Sequence, residues 1–188
     1  MRRIRIVVAY DGTNYCGWQI QPNGITIEEI LNRQISKLTG EDIRIIGASR
    51  TDSGVHALGN VAVFDTESRI PGDRFAYALN QKMPEDIVIV RSDEVQIDWH
   101  PRYQNEISKT YEYHIYNAKV RNPLKNRYST FVSFDLDVEK MRQGAKYILG
   151  EHDFASFCNV RTNAKDTVRT VHEITIKEIP MDKFQASN

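Results

Sequence analysis

Arg3-Ile4-Arg5-Ile6-Val7-Val8-Ala9-Tyr10 alternates charged and apolar residues and then turns fully apolar, the pattern of a strand with neighbours on both sides. The residues after it decide the fold. Asp11-Gly12-Thr13-Asn14 is turn chemistry. From Thr26 onward, Ile27, Ile30, Leu31, Ile35 and Leu38 recur at helical spacing, which predicts an amphipathic helix lying on that strand. Thr26 and Glu29 form a capping-box pattern at its start, and Gly40 stands where a C′ glycine belongs. Two strands, over 43–49 and 60–66, bracket the segment 50–59. A second helix over 73–82 follows Pro71-Gly72-Asp73 and is limited by Pro84, and Asp86–Val90 begins a fourth strand. The order β-α-β-β-α-β is that of a ferredoxin-like, split βαβ unit.

Past Trp99-His100-Pro101-Arg102 the pattern starts again. Thr110, Tyr111, Tyr113, Ile115 and Tyr116 predict a strand over 107–117, and Ser129 to Phe134 a short one. Asp137 caps a helix reaching Leu149, with Met141, Ala145, Ile148 and Leu149 as its apolar stripe and Gly150 at its end. Val171, Ile174, Ile176 and Ile179 alternate with charged neighbours in a strand over 168–179. The expected fold is α+β with mainly antiparallel sheet: an N-terminal half, residues 1–104, and an incomplete second half, residues 105–188. In that arrangement the 168–179 strand keeps an unpaired edge.

Composition narrows the function less than the pattern does. The 188 residues are 40% hydrophobic and 27% charged, which suits a folded core and excludes a disordered or fibrous chain. No apolar run approaches the ~18–20 residues of a membrane span, and the start lacks the features of a signal peptide. The two cysteines, Cys16 and Cys158, form no framework, so a reducing, cytoplasmic setting is expected. The 25 basic and 25 acidic residues balance, so any polyanion would have to be met by local patches.

The chemistry concentrates in Arg50-Thr51-Asp52-Ser53-Gly54-Val55-His56-Ala57-Leu58-Gly59. A loop between two strands here carries one carboxylate, one guanidinium, one imidazole and two glycines. Taken alone, an Asp-x-Gly of this kind ordinarily makes an Asx-turn with its glycine at positive φ. It also has what a ligand site needs: Asp52 at a pocket floor, glycines that let the backbone come close, and Arg50 two residues away to keep the carboxylate ionised. His100, His114, His152 and His172 show no metal-ligand spacing with cysteines or carboxylates, so no metal is expected.

Taken together with the rest of the chain, this loop resembles the signature of the tRNA pseudouridine synthase A family. Tyr10-Asp11-Gly12-Thr13-x-Tyr15-x-Gly17-Trp18-Gln19-x-Gln21 is similar to the family's N-terminal motif. Trp99-His100-Pro101-Arg102 is similar to its aromatic-His-Ala-Arg stretch, with Pro101 in place of the small residue. Thr110-Tyr111-Glu112-Tyr113 resembles its tyrosine strand, Leu149-Gly150-Glu151-His152-Asp153-Phe154 a later motif, and Arg169-Thr170-Val171 the strand after it. The resemblance implies a pseudouridine synthase fold of two ferredoxin-like halves with the active cleft between them. It implies isomerisation of uridine to pseudouridine in the anticodon stem-loop of tRNA, without cofactor or metal, by a homodimer. Asp52 corresponds to the nucleophile, Tyr111 to the tyrosine lying against the target base, and Arg50 and His56 to RNA-contacting loop residues. A flipped base is expected to need such an aromatic platform.

RNA also calls for positive charge at the rim. Lys119, Arg121, Lys125 and Arg127 lie in one loop without an acid, and Arg161, Lys165 and Arg169 in a second stretch with only Asp166. These are the candidate phosphate contacts. The family pattern continues past residue 188 into a stretch whose arginine pairs with the aspartate, and nothing in this sequence matches it. A second reading therefore stands beside the first: a shortened, weakly active or inactive tRNA-binding relative.

Overall fold

The computed structural model describes residues 1–103, 108–158 and 166–180. The chain divides into two compact units, Met1–Tyr111 and Glu112–Asn188. The first contains β1 (Arg2–Tyr10), α1 (Ile27–Thr39), β2 (Ile46–Gly47), β3 (Ala57–Thr66), α2 (Phe75–Asn80) and β4 (Ile87–Val95). Its sheet order is β2-β3-β1-β4, with every pair antiparallel. That is the ferredoxin-like βαββαβ unit expected from the sequence.

Period-two alternation puts Ile4, Ile6, Val8 and Tyr10 of β1 on one buried face. Ile27, Ile30, Leu31 and Ile35 of α1 and Phe75 and Leu79 of α2 join them in one core. Phe64 of β3 meets Phe75 edge to face, with ring centroids 5.3 Å apart. Each fully buried Ile, Leu or Phe contributes roughly 1.5–3 kcal/mol, so this double row is the main source of the unit's stability. On the opposite face Arg3 pairs with Asp65 through two bonds of 2.7 and 2.8 Å, and Arg5 with Asp93 through 3.0 and 2.7 Å. Thr26 caps α1 by accepting from Glu29 N, and Gly40 ends the helix in the left-handed conformation, both as the sequence predicts.

Several boundaries differ from expectation. The strand expected over 43–49 shrinks to Ile46–Gly47. The reason is that α1 takes its amides: Ser36 Oγ accepts from Ile43 N at 3.0 Å, and Asn32 Oδ1 from Ile45 N at 2.9 Å. The second helix is shorter than 73–82, because Gly72–Arg74 forms a 3-10 turn ahead of it. β4, expected to begin over 86–90, runs on to Val95, with Arg5 paired to Asp93 across the ladder. β3 begins at Ala57, earlier than expected, where an extra residue in β3 between Asn60 and Ala57 shifts the register and Ala57 pairs with Tyr10.

The second unit contains β5 (Ile115–Asn117), β6 (Thr130–Val132), α3 (Val138–Ala145), β7 (Gly150–Asp153) and β8 (Val168–Val171). β5 and β6 pair in parallel, and β7 and β8 antiparallel. The long strands expected over 107–117 and 168–179 reduce to three and four residues, since their remaining described residues form no ladder; Ile107 lies outside the described residues. β7 partners one edge of this last strand at Val168–Val171, and among the described residues its other edge has no strand beside it, as expected. Asp137 caps α3 as expected, accepting from Lys140 N at 3.0 Å. The helix stops at Ala145 rather than Leu149, giving way to i→i+3 turns through Ile148 before Gly150 starts β7.

Candidate active site

The loop carrying Asp52 leaves the sheet after Ala48, whose amide donates to Val61 O at 2.7 Å. From there it is fastened to the segment following β1. Trp18 N donates to Thr51 O at 3.0 Å, and Gly54 N to Tyr15 O at 3.2 Å. Ser53 Oγ donates to the same Tyr15 carbonyl at 3.3 Å. Two glycines make the approach possible. Gly17 sits at φ +81° with its absent Cβ position 2.5 Å from Thr51 O, and a Cβ on Gly12 would collide with the Val55 carbonyl. The Tyr-Asp-Gly and Gly-Trp pieces of the N-terminal motif are thus the clamp of the 50–59 loop.

Side chains hold the loop from beneath. The Tyr10 hydroxyl is 2.9 Å from Thr51 Oγ1, and Asn60 Nδ2 donates to Ser49 O at 3.0 Å and to the Tyr10 oxygen at 3.4 Å. Burial, the larger effect, raises the Tyr10 pKa above its usual value, so the phenol keeps its proton. Trp18, only 2% exposed, packs on Tyr10 with ring centroids 6.0 Å apart. At the far shoulder His56 is half-buried, with Nδ1 3.0 Å from Asp11 Oδ1 and 3.2 Å from Gly12 N. A protonated Nδ1 donates to Asp11, and an unprotonated one accepts from Gly12; in both states the ring braces the 11–13 turn.

Between these pinned points Asp52 is exposed. Gly54 takes positive φ (+78°), as expected of an Asp-x-Gly, but among the described residues the turn is closed by backbone, Val55 N donating to Asp52 O at 3.2 Å, and not by the Asp52 side chain of the expected Asx-turn. The expected pairing of Arg50 with Asp52 is absent among the described residues. Thr51, between them, is held by its carbonyl and hydroxyl, which leaves both flanking side chains in solvent.

The structure gathers Arg50, Asp52 and His56 on one loop, and it adds two cations not singled out as site residues from the sequence. Arg102 Nε donates to Gly47 O at 2.8 Å, and Lys109 Nζ to Ala48 O at 3.5 Å. Both therefore stand beside the strand that leads into the loop. Arg102 had a signal, its place in the Trp99–Arg102 motif; Lys109 had none. Tyr10, Thr51 and Asn60 were missed as loop supports because their contacts link residues 41 and 50 positions apart.

The strand expected to carry Tyr111 is a correction. Tyr111 lies on no strand but on an irregular segment ending the first unit, with 71% of its surface exposed. The reason is that among the described residues no strand pairs with 108–113. Lys119, Arg121, Lys125, Arg127 and Arg169 belong to the second unit. Lys119 pairs with Asp135 at 2.8 Å, and Arg121 lies over the Phe131 ring at 5.0 Å. Arg161 and Lys165 lie outside the described residues.

A family model described as tRNA pseudouridine synthase matches residues 6–104 and 145–187. The chain is 48% identical over 186 residues to a tRNA pseudouridine synthase A of Acetivibrio thermocellus, covering 98% of this chain and 76% of that protein. It is 45% identical over 178 residues to the protein of that name from Thermoanaerobacter pseudethanolicus, with 95% and 72% covered. The corresponding protein of Ruminiclostridium cellulolyticum is 45% identical over 189 residues, with 100% and 77% covered.

Proposed function

The chain belongs to the tRNA pseudouridine synthase family, and from that membership we propose that it isomerises uridine in the anticodon stem-loop of tRNA with Asp52 as nucleophile. The single observation that carries the residue assignment is the placement of Asp52: an exposed carboxylate on a loop whose neighbours on both sides are hydrogen-bonded down. A nucleophile has to reach its target while its own backbone stays still.

In the reaction the bond between uracil N1 and ribose C1′ breaks and one between C5 and C1′ forms. The proton lost from C5 is balanced by one gained at N1, so no oxidant or reductant is consumed. Asp52 attacks the sugar or the uracil ring, and a base removes the C5 proton. Tyr111, on its exposed segment, is assigned to the target base as stacking partner, and its exposure leaves its ring accessible to RNA. Arg50 contacts RNA beside the nucleophile, and the outward edge of His56 does so at the other shoulder. Lys119, Arg121, Lys125, Arg127, Arg161, Lys165 and Arg169 are assigned to phosphates, with the active species a homodimer in the cytoplasm. Among the described residues no helix is long and apolar enough to cross a membrane.

The test uses unmodified tRNA carrying tritium at uridine C5. The protein releases tritium, and Asp52→Asn abolishes release while tRNA binding persists. Equal background release by both proteins, with binding intact, would overturn the catalytic reading in favour of a tRNA-binding relative.

A further inference from the structure

The buried side chains under the loop form a chain with a single polarity. Asn60 Nδ2 carries two hydrogens, and two acceptors lie in reach: Ser49 O at 3.0 Å and the Tyr10 oxygen at 3.4 Å. Since Tyr10 accepts from Asn60, its own proton points to the remaining neighbour, Thr51 Oγ1 at 2.9 Å. Asn60 and Tyr10 are 7% and 5% exposed, so water does not readily substitute for a lost link. A hydroxyl or amide left without its partner in such surroundings is costly. The chain begins on β3, crosses β1 and ends on the residue immediately before Asp52. It holds Ser49 and Thr51, the two residues flanking Arg50, and it connects the loop to the two central strands of the sheet.

We propose that Tyr10, relayed from Asn60, is a positioning residue for the reaction: its hydroxyl fixes Thr51, and through Thr51 the orientation of Asp52. This rests on the reading of Asp52 as nucleophile. Tyr10 touches no reacting atom. Without its hydroxyl, Thr51 keeps, among the described residues, only the bond from Trp18 N to its carbonyl, and the peptide leading into Asp52 rotates more freely. Misplacement of a reacting group by a fraction of an ångström to 1 Å is expected to lower turnover by one to two orders of magnitude, while RNA affinity, carried by cations elsewhere, is little changed.

Tyr10→Phe keeps the ring against Trp18 and removes only the hydroxyl. Thr51→Val removes the acceptor at constant shape, and Thr51→Ser restores it. The first readout needs no turnover: native-state hydrogen exchange at the amides of Trp18 and Gly54, which tie the loop down, against Ala48, which belongs to the sheet. Tyr10→Phe and Thr51→Val are expected to speed exchange at Trp18 and Gly54 about tenfold and leave Ala48 unchanged, with Thr51→Ser like the wild type. In tritium release both variants lower kcat about tenfold or more with KM for tRNA within about twofold, and the double variant is no worse than either single one. Unchanged exchange at Trp18 and Gly54, equal acceleration at all three amides, losses confined to KM, or multiplicative losses in the double variant would each overturn the proposal. Failure of the nucleophile reading is seen separately, as tritium release that survives Asp52→Asn.

Discussion

Trp18 lies against Gly47 so closely that a Cβ on the glycine would sit 2.6 Å from three atoms of the indole. The contact joins the segment after β1 to the short strand β2 that leads into the loop of Asp52, and it permits Trp18 to be 2% exposed. Gly47 also offers its carbonyl to Arg102 Nε at 2.8 Å, so the residue is fixed from two sides. Gly47→Ala has nowhere to put its methyl group without moving the indole or β2. Overpacking of this sort costs about 1–3 kcal/mol. Urea denaturation followed by circular dichroism is expected to show that loss, together with reduced turnover, because the displaced indole is the one whose amide holds Thr51. Unaltered stability would mean that β2 yields without penalty.

Tyr15 and Asp86 give a pH dependence with a definite sign. The Tyr15 hydroxyl donates to Asp86 Oδ1 at 2.5 Å. Burial first, then the hydrogen bond and the negative charge of Asp86, push the phenol pKa well above its usual 10.0. The folded state therefore holds the Tyr15 proton more tightly than the unfolded chain does. Its stabilising contribution is fully present below about pH 10, and is lost as pH rises from there toward the folded-state value, because only the unfolded chain gives up the proton. Tyr10, also raised by burial, adds in the same direction. Stability measured by urea denaturation from pH 8 to 11 should fall less steeply in Tyr15→Phe than in the wild type, although the variant starts lower. Parallel slopes would show that Tyr15 titrates alike in both states.

Asn80 covers the β4 edge of the sheet at one residue. Its side chain accepts from Ile89 N at 2.8 Å and donates to Ile89 O at 2.9 Å, and Ile89 lies on β4, the last strand of the order β2-β3-β1-β4. At Ile89 the amide thus does what a neighbouring strand would, where none pairs among the described residues, and an uncovered edge invites pairing with other chains. Asn80→Ala leaves two backbone groups without partners, at a cost of about 1–3 kcal/mol. Thermal unfolding and light scattering on heating are expected to show a lower Tm and earlier aggregation. Asn80→Asp retains the acceptor but not the donor, and should fall between the two.

How far the sequence reveals this fold depends on where each residue's partner lies. Thr26 and Gly40 mark α1 correctly because capping is a contact between near neighbours. Ile4, Ile6 and Val8 show their face through alternation alone. Ile43 and Ile45 alternate just as well yet make no ladder, since side chains of α1 claim their amides, and no local pattern announces that. The Asp52 loop is legible through its order of residues, whereas its clamp is not: Tyr10, Thr51 and Asn60 meet only when β1 and β3 pair. Tyr111 stands in a run of good strand formers, and propensity expresses itself only where a partner strand is supplied.

Gly17 is the position where fold and site can be separated most cleanly. Its φ of +81° is strained for any residue with a side chain, and its missing Cβ position is 2.5 Å from the Thr51 carbonyl and 3.1 Å from the Asp52 carbonyl carbon. Gly17→Ala brings both penalties: roughly 1–2 kcal/mol for the left-handed backbone, and a clash with the backbone of the loop itself. Most of the core is built by β1, α1 and α2, with Tyr15 and Trp18 beside Gly17 at its border, so the unit is expected to remain folded with a Tm lower by several degrees. The loop can relieve the clash only by moving away, which takes Thr51 O from Trp18 N and shifts Asp52. Turnover should drop by more than tenfold at a temperature well below the new Tm, with tRNA affinity nearly unchanged. The comparison that decides is Gly40→Ala, at φ +76° with open space around it: it carries the backbone penalty alone, so it should lose less stability and retain the activity. If both variants lose activity equally, stability and not the approach of Gly17 to the loop governs turnover.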